Sequence, residues 1–142
     1  MKLRIAITAL VATLASPAMT DQDTLKESGS CAGCDLKEVV MSGERFVSAD
    51  LTGANLEDSD FSSADLFLAT LDEATLDRAD FRKASLKAAT LSRASLRDAD
   101  FRDADLSGAR LKGADMTGAR LEGANLCNAV MPDGQLADES CD

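Results

Sequence analysis

Four cysteines are the residues of this 142-residue chain whose chemistry is easiest to name: Cys31, Cys34, Cys127 and Cys141. Cys31-Ala-Gly-Cys34 has the C-x-x-C spacing of a redox dithiol. Such a dithiol works through a thiol of lowered pKa at a helix N-terminus, in a βαβ setting. The chain contains no histidine, which removes the commonest general base, the commonest metal ligand and the usual triad partner together. No phosphate-cradling glycine loop accompanies the cysteines, and neither metal nor cofactor is expected. A second group is cationic: Arg78, Arg82, Lys83, Lys87, Arg93 and Arg97 fall in a stretch that holds one acid, Asp80. It is the one candidate anion-binding belt in a chain of net charge -10.

These groups are positioned by a repeat. From Leu36 to Met131 a large apolar residue returns every fifth position: Leu36, Met41, Phe46, Leu51, Leu56, Phe61 and onward. Alanine stands two places before most of them, from Ala49 to Ala129. A period of five fits neither a helix nor a strand; it is an internal repeat, and it decides the architecture. The unit reads A-(D/N/T/S/R)-(L/F)-x-x, as in Ala49-Asp50-Leu51-Thr52-Gly53. This array resembles the pentapeptide-repeat family over about two thirds of the chain, without an insertion in the register. The resemblance implies an all-β fold, a right-handed quadrilateral β-solenoid with four pentapeptides per coil. In it the central Leu or Phe points inward, and the Ala two places earlier packs inward near the corner.

Phe61, Phe81 and Phe101 stand twenty residues apart, and Met41 and Leu121 continue the series. Four repeats per coil would place these rings in one core stack, with offset-ring contact beyond area burial. Phe46 falls on another wall, and Phe67, just after a central position, points outward. A corner every five residues leaves room for little more than alanine; Ser59 departs slightly and Glu44 more. A buried Glu is costly, so the first coil, Cys34 to Phe46, is expected to be looser. Eighteen central positions run from Phe46 to Met131. They give about four to five coils, roughly 22 Å tall at about 4.8 Å per coil. Asp60, Asp80 and Asp100 form a ladder that the resemblance assigns to turn chemistry; a calcium site needs convergent oxygens that nothing in the spacing forces.

Residues 1–18 read as a signal peptide: Lys2 and Arg4, an apolar run from Ile5 to Ala15, then Ser16-Pro17-Ala18 before the expected cut. The run is short of the about 20 residues of a membrane span. Cleavage takes the net charge from -10 to -12 and leaves a periplasmic or secreted protein with no membrane insertion. Residues 19–35 form a lead-in or cap carrying the C-x-x-C, in which Thr24 to Glu27 could make one helical turn stopped by Gly29, the alternative being disorder. Residues 36–131 are the solenoid, and 132–142 a tail with a Pro132-Asp133-Gly134 turn that could fold back as a cap.

An even cysteine count in an exported chain suggests disulfides. Cys31–Cys34 and Cys127–Cys141 are each close in sequence and lie at opposite ends of the repeats. About four coils, roughly 20 Å, would separate the ends, which disfavours one four-thiolate zinc site. Because Cys34 runs straight into the repeats, a cap staple is favoured over redox catalysis.

Charge along the rod is uneven. From Glu44 to Asp77 nine acids face Arg45 alone, then the basic belt follows, then mixed signs. Ion-paired, solvated walls are the stronger expectation for the belt. Acidity disfavours nucleic acid and anionic lipid. The function expected is a non-catalytic exported scaffold or protein-interaction module of unknown partner, monomeric or dimerised end to end. A DNA-mimicking topoisomerase-binding protein, as in the quinolone-resistance branch, is the alternative. A C-x-x-C redox protein is a weaker one, and scattered Thr70, Thr75 and Thr90 make no lattice for ice or mineral.

Overall fold

The computed structural model describes residues 18–137 and Cys141. The expected signal peptide, apart from Ala18, lies outside the described residues, as do 138–140 and 142.

The repeat folds because each pentapeptide is one extended step and one turn. Ala54 N–H donates to the Leu51 carbonyl at 3.0 Å, and Gly53, third residue of that turn, has φ 65. A closed four-residue turn with a left-handed third residue is the type II pattern. The third position is left-handed throughout, including at Asp58, Ser63, Leu68 and Lys83. The extended steps pair between coils. Every parallel bridge, from Asp35↔Asn55 to Arg110↔Val130, joins residues twenty apart. Four turns per twenty residues therefore make a four-cornered coil that stacks on the next. Pairing is confined to single-residue bridges because a turn interrupts the extended backbone every five residues. On either side of each bridge the hydrogen bonds run coil to coil: Leu56 N–H to Thr75 O at 2.7 Å, Asp58 N–H to Asp77 O at 3.0 Å, and Asn55 N–H to Cys34 O at 2.8 Å.

The interior is filled by the central residues. Leu36, Leu51, Leu66, Leu76 and Leu91 are fully buried, and the alanines two places before the central residues, from Ala49 to Ala109, are 0–1% exposed. Ser59 takes an alanine position at little cost, because its hydroxyl donates to the Leu56 carbonyl at 2.6 Å. The rings of Phe61, Phe81 and Phe101 stack at 5.5 and 5.3 Å, with interplanar angles of 12° and 11°. Phe46, in the neighbouring column, meets Phe61 edge-on at 5.8 Å. Phe67 points outward and is 36% exposed.

Glu44 is exposed, so the interior is spared its charge. The turn bonds of the first coil are slightly longer than the rest: 3.3 Å at Cys34, 3.4 Å at Val39 and 3.3 Å at Glu44, against 2.9–3.2 Å from Ala49 to Ala129.

Before the repeats lies a helix, α1 (Asp21–Ser28), longer than the single turn read from the sequence. The added turn comes from its N-terminus. Thr20 caps Asp23 N–H while the Asp23 carboxylate reaches back to Thr20, and Gly29 ends the helix in the left-handed region. Leu25 is fully buried and belongs to the solenoid core, and the Asp21 carboxylate accepts the Asp35 N–H at 2.6 Å. Helix α1 therefore covers the first coil. At the other end Gly134 turns the tail. Val130 and Leu136 form an antiparallel bridge, and Ala137 N–H donates to Ala129 O at 2.8 Å. Met116 and Leu121 are half-buried.

Candidate functional site

The two terminal seams hold the cysteines. Cys31 is bonded to Cys34 with Cα atoms 5.4 Å apart, and Cys127 to Cys141 with Cα atoms 5.1 Å apart. Cys31 is 4% exposed, follows α1 rather than heading a helix, and closes a turn in which Cys34 N–H meets Cys31 O at 3.3 Å. The bond closes a turn at the start of the first coil, where Cys31 N–H already pairs with Asp50 O at 2.8 Å; it is not the setting of an N-terminally activated thiol. Among the described residues no three of Cys, Asp and Glu are placed to hold a metal ion. Also among them, no helix is long and apolar enough to cross a membrane.

The basic belt is distributed around all four corners of the coil, and Arg78, Arg82 and Arg93 are occupied. Arg78 forks onto the coil beneath, donating to Asp58 at 2.8 Å and to Glu57. These bonds hold the Asp58 carboxyl below its ordinary range and raise the Arg78 guanidinium. Arg82 makes a two-pronged pair with Asp80 at 2.9 and 2.6 Å, and Arg102 repeats it with Asp100 one coil on, at 2.9 and 2.5 Å. The hydrogen bonds from these arginines lower Asp80 and Asp100, against a smaller opposing effect of burial. Arg93 pairs with Glu73, and Arg97 approaches Asp115 at 4.0 Å. Among the described residues no ion pair involves Lys83 or Lys87. The six cations do not converge. Arg82 and Lys83 share a cleft, of about 340 Å³, with Ser62, Ser63, Arg102 and Asp103, and its two arginines already bind aspartates. Lys87 lines a separate cleft of about 520 Å³ beside Asn125, Asn128 and the Cys127–Cys141 bridge.

The Asp ladder does turn work. Asp60, Asp80 and Asp100 accept the N–H groups of Ser62, Arg82 and Arg102 at 2.9, 3.0 and 3.1 Å. Asp50 and Asp115 take both the N–H and the hydroxyl of Thr52 and Thr117, and these bonds lower their pKa. Sequence reasoning missed the variation on this theme. Where Thr90 or Ser95 replaces the capping acid, an aspartate from the coil beneath reaches up. Asp72 accepts the Ser92 N–H at 2.7 Å, and Asp77 accepts the Arg97 N–H at 3.2 Å and the Ser95 hydroxyl at 2.5 Å. The signal was available: Asp72 and Asp77 stand twenty residues before Ser92 and Arg97.

What these observations define is a coiled repeat protein whose repeated aspartates cap turns and most of whose belt arginines pair with acids. A family model for pentapeptide repeats, with eight copies, matches residues 30–66, 64–103 and 94–133. The chain belongs to the pentapeptide-repeat family. No curated protein is significantly similar to it. Among solved structures it is similar to HetL of Nostoc sp. strain PCC 7120, a pentapeptide-repeat protein involved in heterocyst differentiation regulation. The two are 36% identical over 76% of this chain and 51% of HetL, with a TM-score of 0.74; this chain spans about half of HetL's length. It is also similar to alr5209, a pentapeptide-repeat protein from Nostoc PCC 7120, at 25% identity over 82% of this chain and 86% of that one, TM-score 0.51. A match to QnrB1, a plasmid-mediated fluoroquinolone resistance protein, stands at 17% identity over 76% of this chain and 55% of that one, TM-score 0.37.

Proposed function

We propose that this protein is a non-catalytic, exported scaffold or protein-interaction module, built as a right-handed quadrilateral β-solenoid of four to five coils. The observation that carries the reading is the use made of the polar side chains. The repeated aspartates cap turns, and the arginines pair with acids on their own or adjacent coils. What is left for function is a long, regular exterior, the property that solenoids put to use in binding. Paired cysteines at both ends support export, since disulfides persist in oxidising compartments. The likeness to HetL, named for a regulatory role, supports an interaction role. The domain division is residues 1–18 as signal peptide, 19–35 as cap, 36–131 as solenoid and 132–142 as closing tail.

The experiment is affinity capture from a periplasmic extract with the tagged, oxidised mature chain as bait. A retained partner at defined stoichiometry is the expected result. Finding the protein in the cytoplasm, with inhibition of a topoisomerase by the purified chain, would replace this reading by DNA mimicry. A reductase rate in an insulin–dithiothreitol turbidity assay would replace it by redox chemistry at Cys31 and Cys34.

A further inference from the structure

The two ends of the rod are finished differently. Each coil offers N–H groups and carbonyls to the coil above: Leu96 N–H donates to Asp115 O at 2.8 Å, and Ala99 O accepts the Arg120 N–H at 2.9 Å. In the last coil, among the described residues, the corresponding N–H groups of Met116, Gly118, Leu121, Gly123, Leu126 and Asn128 and the carbonyls of Ala119 and Ala124 have no partner. Met116 and Leu121 are half-buried, where Leu96 and Phe101 one coil below are fully buried. At the first coil the N-terminal segment stands in for a coil. Asp21 Oδ2 and Ser30 Oγ accept the N–H groups of Asp35 and Asp50 at 2.6 and 3.0 Å, and Met41 and Phe46 are buried. Of the N–H groups there that would face a coil beneath, those of Val40 and Arg45 are left. Unpaired backbone at an edge is a template for another chain.

The tail occupies one side of the exposed edge. Val130 pairs antiparallel with Leu136, Ala137 N–H donates to Ala129 O at 2.8 Å, and Cys141 is bonded to Cys127. Little apolar surface holds it: residues 133–136 are exposed, Leu136 at 63%. The bridge is open to attack, since Cys141 is exposed and both cysteines line the cleft of about 520 Å³, whereas Cys31 is 4% exposed. Exchange with a thiolate needs such access. We propose that Cys127–Cys141 is a redox latch on self-association. Oxidised, it holds the tail about 4.8 Å above the coil as a step on one side, which keeps a facing coil off the other three. A dithiol reductant opens it. The reductant's thiolate attacks one sulfur and its second thiol resolves the mixed disulfide. The reductant ends as a disulfide, and Cys127 and Cys141 as two thiols that take up its two electrons and two protons. The freed edge then docks the same edge of a second copy. A two-fold axis across the rod reverses the direction in which the second coil runs, so every facing side pairs antiparallel, as Leu136 does with Val130. The five-residue spacing of corners is common to both. Charge agrees: the last coil, residues 111–130, carries Lys112 and Arg120 against Asp115 and Glu122, while the nine acids between Glu44 and Asp77 are kept far apart. Because α1 covers the first coil, with Leu25 in its core, pairing stops at two copies. The inference goes beyond the interaction-module reading and needs only the solenoid.

The test is light scattering of the mature chain on a sizing column. The oxidised chain should elute as a monomer. Dithiothreitol should double its mass, and reoxidation should reverse the change. Cys127→Ser/Cys141→Ser should be a dimer without reductant, while oxidised Cys31→Ser/Cys34→Ser stays a monomer. In the Cys127→Ser/Cys141→Ser background, Met116→Lys/Leu121→Lys should halve the mass by placing like charges across the two-fold axis. Met116→Ala/Leu121→Ala is the milder pair for the case in which the lysines melt the last coil. It should weaken the dimer at least about tenfold. A dimer in the oxidised chain would overturn the proposal, as would a monomer in both the reduced chain and Cys127→Ser/Cys141→Ser. Dimers of equal strength with and without the changes at Met116 and Leu121 would overturn it by removing the surface. So would growth past two copies, the mark of head-to-tail stacking.

Discussion

The rings of Phe61 and Phe81, twenty residues apart in sequence, lie 5.5 Å apart and 12° from parallel, and Phe81 is fully buried between Phe61 and Phe101. Phe81 therefore belongs to two coil interfaces at once. Phe81→Ala is expected to cost about 3–5 kcal/mol, the range for emptying an aromatic core site. Phe81→Leu retains a side chain that other columns of the core already use, and should cost about 1–2 kcal/mol from lost volume and ring contact. Urea unfolding of the two variants, compared at equal m-value, checks the order.

Capping between coils makes a second prediction. Asp72 accepts the Ser92 N–H, while the Thr90 hydroxyl oxygen is buried without a hydrogen-bond partner. Asp72→Ala should cost about 1 kcal/mol by stripping that N–H of its acceptor. Thr90→Asp in the Asp72→Ala background should restore most of the loss, because an acid at the Thr90 position caps the same N–H in the manner of Asp80 over Arg82. The double-mutant cycle, read by thermal melting, fails the account if the second change adds no stability.

A third concerns acid. Asp80 and Asp100 are held below their ordinary pKa by hydrogen bonds from Arg82 and Arg102. A depressed carboxyl contributes stability above its unfolded value, about 3.9, and the contribution is lost as pH falls through the folded value. The melting temperature should therefore drop below about pH 4. Asp80→Asn/Asp100→Asn keeps an oxygen to cap the turns and removes the charge. It should melt lower than wild type at neutral pH, with the gap closing at low pH. A gap that persists unchanged in acid would mean that the ion pairs are not its origin.

Reduction makes a fourth. On the chain-entropy model the longer Cys127–Cys141 loop contributes about 3 kcal/mol and the short Cys31–Cys34 loop about 2. Dithiothreitol should lower the melting temperature. Cys127→Ser/Cys141→Ser should reproduce the larger part of that drop, because it also releases the tail from the open end of the last coil.

The backbone plan was legible because a five-residue period admits few structures, and a twenty-residue recurrence of phenylalanine selects among them. The outward turn of Phe67 follows from its position just after a central residue, and the use of Asp60 as a turn cap is what the family resemblance implied. What could not be read was anything decided by side-chain reach. Arg78 lies near Asp77 and Asp80 in sequence yet pairs with Asp58 and Glu57 on the coil beneath. The six cations, contiguous in the sequence, part company because twenty residues encircle the rod and place Arg78, Lys83, Lys87 and Arg93 on four different corners. The helix over the first coil was underread because its stability comes from a capping box at Thr20 and Asp23 and from burial of Leu25, not from a periodic apolar face.

Every surface described depends on side chains twenty positions apart lying over one another. Solution NMR of a sample with labelled phenylalanine rings tests this most directly. Ring-to-ring contacts between Phe61 and Phe81 and between Phe81 and Phe101, with none between Phe61 and Phe101, are the predicted result. Phe81 contacting neither ring, or contacting residues fifteen positions away instead, would contradict the coil and with it the ion pairs and the proposed docking surface.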